Sequence, residues 1–428
     1  VTVISVREFA TLTMDSVKPT LDRATLTAED FAWLAGLATN VDGAARPLRF
    51  ESPRTLRVQN LVGVIRLPSG VDLEILPKHT EASDSLPATR RLLFRMIAAA
   101  HDIPARDTEL ANLEVLNRPF TEWMAKAFVA QVTQLLRRGL RSDYQRVEGC
   151  EPYLRGRLEL ARQLRAGPAA LLNFQITHDV FSMDRAENRL IRTAIEKVAR
   201  STRAPETWRV ARELASLLAK VPLSLDVRSD LGRWRDDRMM SHYGPVRPLC
   251  ELILTGLTPF AVSGRDQALS MLFPMERLFE AFVERSVRKA LPDYRVQSQP
   301  RTHSLCDYAE SRWFDLRPDL VARRGEETLV IDAKWKRLHS DQKLRFNISQ
   351  SDVYQLHAYG QTYLGGHGEL HLVYPRTADF PKTEGPLLMK PALRLYIRSI
   401  DLETGDLSDL RDSGSPISSN NLPLPQSA

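Results

Sequence analysis

The sequence predicts a multidomain α/β protein, and length and the pattern of apolar spacing carry that class. Its 428 residues exceed what one hydrophobic core usually serves, so two or three domains are expected. Apolar residues recur at every second position in the first 80 residues, at three- and four-residue spacing through the middle, and in both patterns after residue 266. The expected order is a β-rich N-terminal domain (1–82), a mainly helical middle region (88–264), a C-terminal α/β domain (266–403) and a disordered tail (404–428).

In the first of these, Leu56 to Val64 and Gly70 to Leu76 read as strands of a hairpin turning at Pro68-Ser69-Gly70. The polar stretch 79–90 reads as a linker. RLLFRMIAAA, TEWMAKAFVAQVTQLLRRGL and AENRLIRTAIEKVAR are amphipathic helices, the last capped by Ser182 or Asp184. The C-terminal domain opens with a helix, MERLFEAFVERSVRKAL, striped by Met275, Leu278, Phe279, Phe282, Val283 and Val287. Strands are expected at 314–323 and 327–335, a helix at 352–364, and strands at 369–374 and 393–400. The Ser-, Pro- and Asn-rich tail buries too little to fold.

Composition excludes more than it assigns. Hydrophobic content of 43% and charged content of 26% fit a soluble globular protein. No apolar run approaches the ~18 residues of a membrane span, and the opening VTVISVREFATLT lacks a signal-peptide core. A cytoplasmic location without a membrane partner is expected. A net charge of +6 permits a polyanionic partner without establishing one. Cys150, Cys250 and Cys306 make no CxxC pair and read as buried free thiols.

The chemistry concentrates in WFDLRPDLVARRGEETLVIDAKWKR (313–337). If Gly325 and Glu326 form a two-residue turn, Arg324 faces Glu327 and Asp319 lies directly opposite Asp332. Opposed residues share a face at roughly 5 Å between Cβ atoms, and Lys334 falls on that face too. Leu320, Ala322, Leu329, Ile331 and Ala333 make the other face, suited to a core. Two opposed carboxylates repel unless a cation intervenes, and Mg²⁺, with Mn²⁺ as substitute, prefers such hard oxygen ligands. A metal there could polarise a phosphate ester and activate water, with Lys334 orienting that water or neutralising phosphoryl charge. The alternative is a plain salt bridge from Lys334 to either aspartate on a solvated sheet face.

Pro318-Asp319 with Asp332-Ala333-Lys334 resembles the PD-(D/E)xK nuclease superfamily, and Gln355-Leu-His-Ala-Tyr359 resembles its QxxxY helix. Asp352, Gln355 and Tyr359 share one helical face, with Val353, Leu356, Gly360 and Leu364 opposite; an ordinary half-exposed face is the other reading of Gln355 and Tyr359. A helical glutamate often completes the metal site in that superfamily. Glu280, bordering the apolar stripe of the 275–291 helix, is the candidate, or else a surface charge.

LVGVIRLPSGVDLEILPKH (61–79), RRGLRSDYQRVEGCEPYLRGRLELARQLR (137–165), FSMDRAENRLIRTAI (181–195), LFEAFVE, RPDLV, IDAKWKR and SDVYQLHAYGQTYL together resemble McrC. McrC is the nuclease subunit of McrBC-type, modification-dependent (5-methylcytosine) restriction systems, and the likeness spans most of residues 55–375. It implies a C-terminal restriction-endonuclease-like domain that cuts double-stranded DNA with Mg²⁺. It implies catalytic Asp319, Asp332, Lys334, Glu280 and Gln355, and metal ligands Asp319, Asp332, the Ala333 carbonyl and Glu280. It further implies a partner, an McrB-like AAA+ GTPase hexamer that recognises the modified DNA. The chain itself has no GxxxxGK[ST] loop. The middle region, with Gly156-Arg157, would face that motor, unless Arg157 only salt-bridges its own domain; residues 1–82 would be accessory. A motor-independent DNA-repair nuclease of the same superfamily and a non-catalytic adaptor of an AAA+ motor stay open as alternatives.

Two further signals are weaker. His367 and His371 are spaced i, i+4, but Gly365, Gly366 and Gly368 argue against a zinc-binding helix. His178-Asp179 has the order of a metal dyad without companion ligands, so a loop hydrogen bond is expected.

Overall fold

Strands Leu61–Arg66 and Asp72–Leu76 form the expected hairpin in the computed structural model, with Gly70 at φ +81° in the turn. The structure describes residues 3–39, 47–78, 86–103, 120–167, 172–235, 238–255, 271–309, 311–381, 386–408 and 410. Residues 79–85 of the expected linker, the expected 264/266 boundary, and residues 409 and 411–428 of the expected tail lie outside that set. Two compact units emerge: Val1–Lys78, Ser85–Phe94 and His101–Phe273 make the first, and His79–Asp84, Arg95–Ala100 and Pro274–Ala428 the second.

The first unit merges what the sequence suggested were two domains. Its hairpin is flanked by Val3–Arg7, parallel to Asp72–Leu76, and by Met271–Pro274 beside Leu61–Arg66. That strand lies inside the expected 266–403 domain, and its pairing carries the first unit from residues 1–78 as far as Phe273. Gly63, at φ +133°, permits it, because a Cβ there would collide with the Met271 carbonyl. The expected 56–64 strand is in fact two: Thr55–Val58 joins a second sheet with Thr11–Thr13, Arg23–Thr25 and Leu48–Ser52, while Leu61–Arg66 stays in the first. Leu12, Leu34, Leu56 and Leu73 fill the space between, with no exposure. Helix Ala28–Thr39, not expected, starts at Thr27, whose hydroxyl accepts the Asp30 N–H at 3.1 Å.

The middle region is helical at Leu86–Ala100, Phe120–Arg138, Ala186–Ser201, Pro205–Leu217 and Arg247–Thr255, so residues 86–90 of the supposed linker are the start of a helix. It also holds a three-stranded sheet that "mainly helical" did not anticipate. Asp143–Glu151 pairs antiparallel with Phe174–Ser182, which pairs with Arg157–Leu158. His178 and Asp179 thus sit on a strand, not a loop. Arg185, in extended conformation, precedes helix Ala186–Ser201 without a side-chain cap. Asp184 instead accepts the Arg189 guanidinium at 2.6 Å, so neither it nor Ser182 caps the helix. Cys250 is buried, but Cys150 and Cys306 lie exposed on strands. No helix among the described residues is long and apolar enough to cross a membrane.

The second unit is built on a six-stranded mixed sheet in the order Arg295–Ser298, Leu320–Arg324, Glu327–Ala333, His367–Pro375, Ala392–Ile400, Leu387–Met389. Glu327–Ala333 is antiparallel to Leu320–Arg324 and parallel to His367–Pro375. The six stripe residues of helix Met275–Ala290 are all buried. Helix Gln350–Tyr363, capped by Ser349, packs over Val321, Val330, Leu370, Leu372 and Leu393. Chemistry-bearing residues on that sheet face are therefore roofed by a helix. The expected 314–323 strand breaks into Ser311–Leu316, paired with His303–Tyr308, and Leu320–Arg324. Pro318, which has no N–H to donate, lies in the break.

Candidate active site

The hairpin register is the one the two-residue turn dictates. Arg324 faces Glu327 and Leu320 faces Ile331, with Gly325 at φ +59° in the turn. One step beyond the ladder, Asp319 and Asp332 come together: an Asp319 carboxylate oxygen accepts the N–H of Ala333 at 2.8 Å. Asp332 is 1% exposed and Asp319 half-buried, so the face is not the solvated one of the salt-bridge reading. The salt bridge itself exists, with Lys334 Nζ 2.8 Å from Asp332 Oδ2.

Asp319 and Asp332 share the field of one ammonium, and the charge of Glu280 reaches into it. Burial, then the charges of Asp332 and Glu280, push Asp319 up to about 8. Burial raises Asp332 as well, against the pull of Lys334. Glu280 is raised by burial, then by Asp332; it is half-buried, not a surface charge. For Lys334, burial works downward but the neighbouring aspartates outweigh it, so the ammonium is held above its ordinary range. Electrostatically the cluster lacks positive charge.

Helix Gln350–Tyr363 closes the site. Lys334 Nζ donates to Gln355 Oε1 at 3.2 Å, and Gln355 Nε2 donates to the Tyr359 hydroxyl at 2.6 Å. Tyr359 donates to the Arg317 carbonyl at 2.9 Å. Gln355 is exposed while Tyr359 is 3% exposed and belongs to the core with Leu356; Tyr359 is therefore not on a half-exposed face. Asp352 contributes charge to Asp332 and Lys334. The sequence reading missed Tyr363, which donates to the Leu316 carbonyl at 2.9 Å and, with Tyr359, grips the segment leading into Asp319. Its signal was present as the third step of a Gln355, Tyr359, Tyr363 series. Gln299, also missed, donates from Nε2 to Glu280 Oε2 at 3.0 Å.

Among the described residues no three His, Cys, Asp or Glu side chains form a preformed metal cage. The donor set nevertheless fits Mg²⁺. That ion takes one or two carboxylates and keeps waters or substrate oxygens for its remaining positions, unlike the closed cages of zinc. Buried carboxylates that raise one another's pKa are what a divalent cation would stabilise. His371 is unsuited to such a role: it is fully buried on strand His367–Pro375, and burial takes it down to about 3.

The family model for the McrBC 5-methylcytosine restriction system component matches residues 56–375. The chain belongs to that family. Over 291 residues it is 25% identical to the Type IV methyl-directed restriction enzyme EcoKMcrBC of Escherichia coli (strain K12), a match covering 63% of this chain and 81% of that protein. The refined half-complex of Thermococcus gammatolerans McrB AAA+ hexamers with bound McrC contains a chain of the same fold. The TM-score is 0.64 and the identity 19%, over 94% of this chain and 95% of the other. The cryo-EM structure of the T. gammatolerans McrBC complex matches at TM-score 0.50 and 21% identity, over 69% and 89%. The McrBC-family match spans both the hairpin of Asp319 and Asp332 and the helix of Gln355 and Tyr359.

Proposed function

We propose that this chain is the DNA-cleaving subunit of an McrBC-like, modification-dependent restriction complex. It would be a Mg²⁺-dependent endonuclease of the PD-(D/E)xK class that hydrolyses phosphodiester bonds of double-stranded DNA when coupled to an AAA+ GTPase hexamer. The observation that carries the reading is the pair of half-buried Asp319 and buried Asp332 with Lys334 on the same face, in a chain of this family.

Asp319, Asp332, the Ala333 carbonyl and Glu280 are the residues proposed to hold Mg²⁺, for which Mn²⁺ substitutes. When bound, the ion supplies Lewis-acid polarisation of the phosphodiester and acidifies the attacking water. Lys334 keeps its proton and offers positive charge where the phosphoryl oxygens become more negative. Gln355 orients Lys334, and Tyr359 fixes the backbone ahead of Asp319, so the charges are preorganised at the strand end. The motor partner is proposed from the T. gammatolerans relative, in which McrC is bound to McrB AAA+ hexamers. The phosphate-binding loop that this chain lacks would reside there, and the middle region with Gly156-Arg157 is proposed to face it.

The test is cleavage of methylated and unmethylated plasmid with Mg²⁺, with and without the AAA+ partner and GTP. Cutting of methylated plasmid only in the complete mixture is expected. Robust cutting by the lone chain would replace the reading with a motor-independent nuclease. No cutting in any mixture, with partner GTPase stimulated, would replace it with a regulatory adaptor.

A further inference from the structure

We infer that Gln299 is a positioning residue that holds Glu280 in the carboxylate site; this rests on the metal-dependent reading above. Gln299 follows strand Arg295–Ser298, whose last residue faces Leu320. Its N–H donates to the Asp319 carbonyl at 2.8 Å, carrying the strand pairing one residue further, to the aspartate itself. There the backbone leaves the sheet: Gln299 takes φ +41°, a conformation that side-chain-bearing residues rarely adopt, immediately before Pro300. In this conformation its amide meets Glu280 on helix Met275–Ala290, donating at 3.0 Å. The Tyr363 hydroxyl, shared with the Leu316 carbonyl, also reaches the carbonyl of the following residue, Pro300, at 3.2 Å. One residue thus ties the strand end of Asp319 to the side chain of Glu280, from two different elements. A ligating carboxylate needs such an outer hydrogen bond to keep its orientation, and loss of one commonly costs 10- to 100-fold in metal affinity.

The left-handed backbone provides a clean test. Gln299→Gly accepts φ +41° without strain and keeps the N–H to Asp319, so it removes only the amide. In the purified full chain, calorimetric titration with Mn²⁺ should show affinity reduced about tenfold, with an unchanged thermal midpoint. Gln299→Asn, which tolerates the same backbone but has a shorter amide, should fall with it. Glu280→Ala should lose a comparable factor, and adding Gln299→Gly to it should cost nothing more, because the residue acts through Glu280. Wild-type Mn²⁺ affinity in Gln299→Gly, with binding abolished in Asp332→Asn, would overturn the inference and leave the metal site standing. Additive losses in the double variant would overturn it too. If wild type binds no Mn²⁺, or Asp332→Asn binds as well as wild type, the metal-dependent reading itself fails and the inference with it.

Discussion

Strands Asp143–Glu151 and Glu327–Ala333 are both long and fully paired, yet the first is exposed or half-exposed along its whole length and the second is buried at its last five positions. In the first, Tyr144 and Val147 face solvent at 70% and 39% exposure, and the partner strand leaves Phe181 similarly open. In the second, Val330 and Ile331 have no exposure, and Asp332 is drawn into the same dry layer. Hydrogen-bonded pairing is common to both, so it does not distinguish them. What differs is what packs on the faces, and with it the energetic meaning of a charge. An aspartate on the open sheet is hydrated and costs little; an aspartate in the closed one is retained against desolvation, a cost that the proposed role as a metal ligand would explain.

The largest effect should therefore separate activity from stability at one position. Asp332→Asn should reduce cleavage by at least about a hundredfold, since it removes a charge aimed at the reacting centre. The metal-free thermal midpoint at pH 8 should be equal or higher, because one buried like charge is gone. A drop in both would mean that Asp332 serves packing through its ion pair to Lys334. The comparison of the strands is sharpened by truncation. Leu372→Ala, fully buried beside Asp332 on the neighbouring strand, should destabilise by about 2–5 kcal/mol. Val147→Ala on the open sheet should change stability by about 0.5 kcal/mol or less. Equal effects in denaturant unfolding would erase the distinction drawn here.

The same contrast explains what could be read from the sequence. The hairpin at 320–333 was legible down to its register, because Gly325 fixes a two-residue turn and the turn fixes which residues face each other. The helix of Met275–Ala290 was legible because its six apolar stripe residues all face one way. The sheet at 143–182 was not: no residue of Asp143–Glu151 is buried, so Tyr144 and Val147 give no alternation to recognise. The residues of the candidate site split likewise. Asp319, Asp332 and Lys334 are close in sequence and follow from one turn. Gln299 and Tyr363 act through hydrogen bonds between remote elements, and local periodicity carries no record of those. The strand Met271–Pro274, which joins the ends of the first unit, is equally non-local.

The open sheet is buried only at Ile176, Thr177 and His178 of its central strand, so its shape leans on close backbone contact there. Gly156, at φ +69°, has room for no Cβ: one would meet the Thr177 carbonyl and His178 on the adjacent strand. Gly156→Ala should cost at least about 1–2 kcal/mol from backbone conformation alone. The loss should appear first as faster amide exchange at Arg157 and Thr177, which pair there. Unchanged exchange would mean that the short Arg157–Leu158 strand is held by something other than this contact.

The two units should respond to pH with opposite sign. In the second unit the Asp319 carboxyl is pushed up to about 8 by burial, Asp332 and Glu280, against an unfolded value near ~4. Between those values the metal-free folded protein binds more protons than the unfolded chain. This contribution to stability is therefore complete below the unfolded value and is lost as pH rises through the folded one. In the first unit Asp230 is lowered, chiefly by its hydrogen bond from Arg189. Its contribution is present above the unfolded value and is lost as pH falls through the folded one. Metal-free urea midpoints should thus decline from pH 5 to pH 8.5 in wild type and flatten in Asp319→Asn. Mg²⁺ should offset the decline at the alkaline end, because it binds the ionised carboxylates. Asp230→Asn should leave the alkaline decline in place and reduce stability near neutrality. A wild-type midpoint that rises towards pH 8.5 without metal would mean that the Asp319–Asp332 pair is better solvated than its burial implies, and the contrast between closed and open sheets would no longer mark the site.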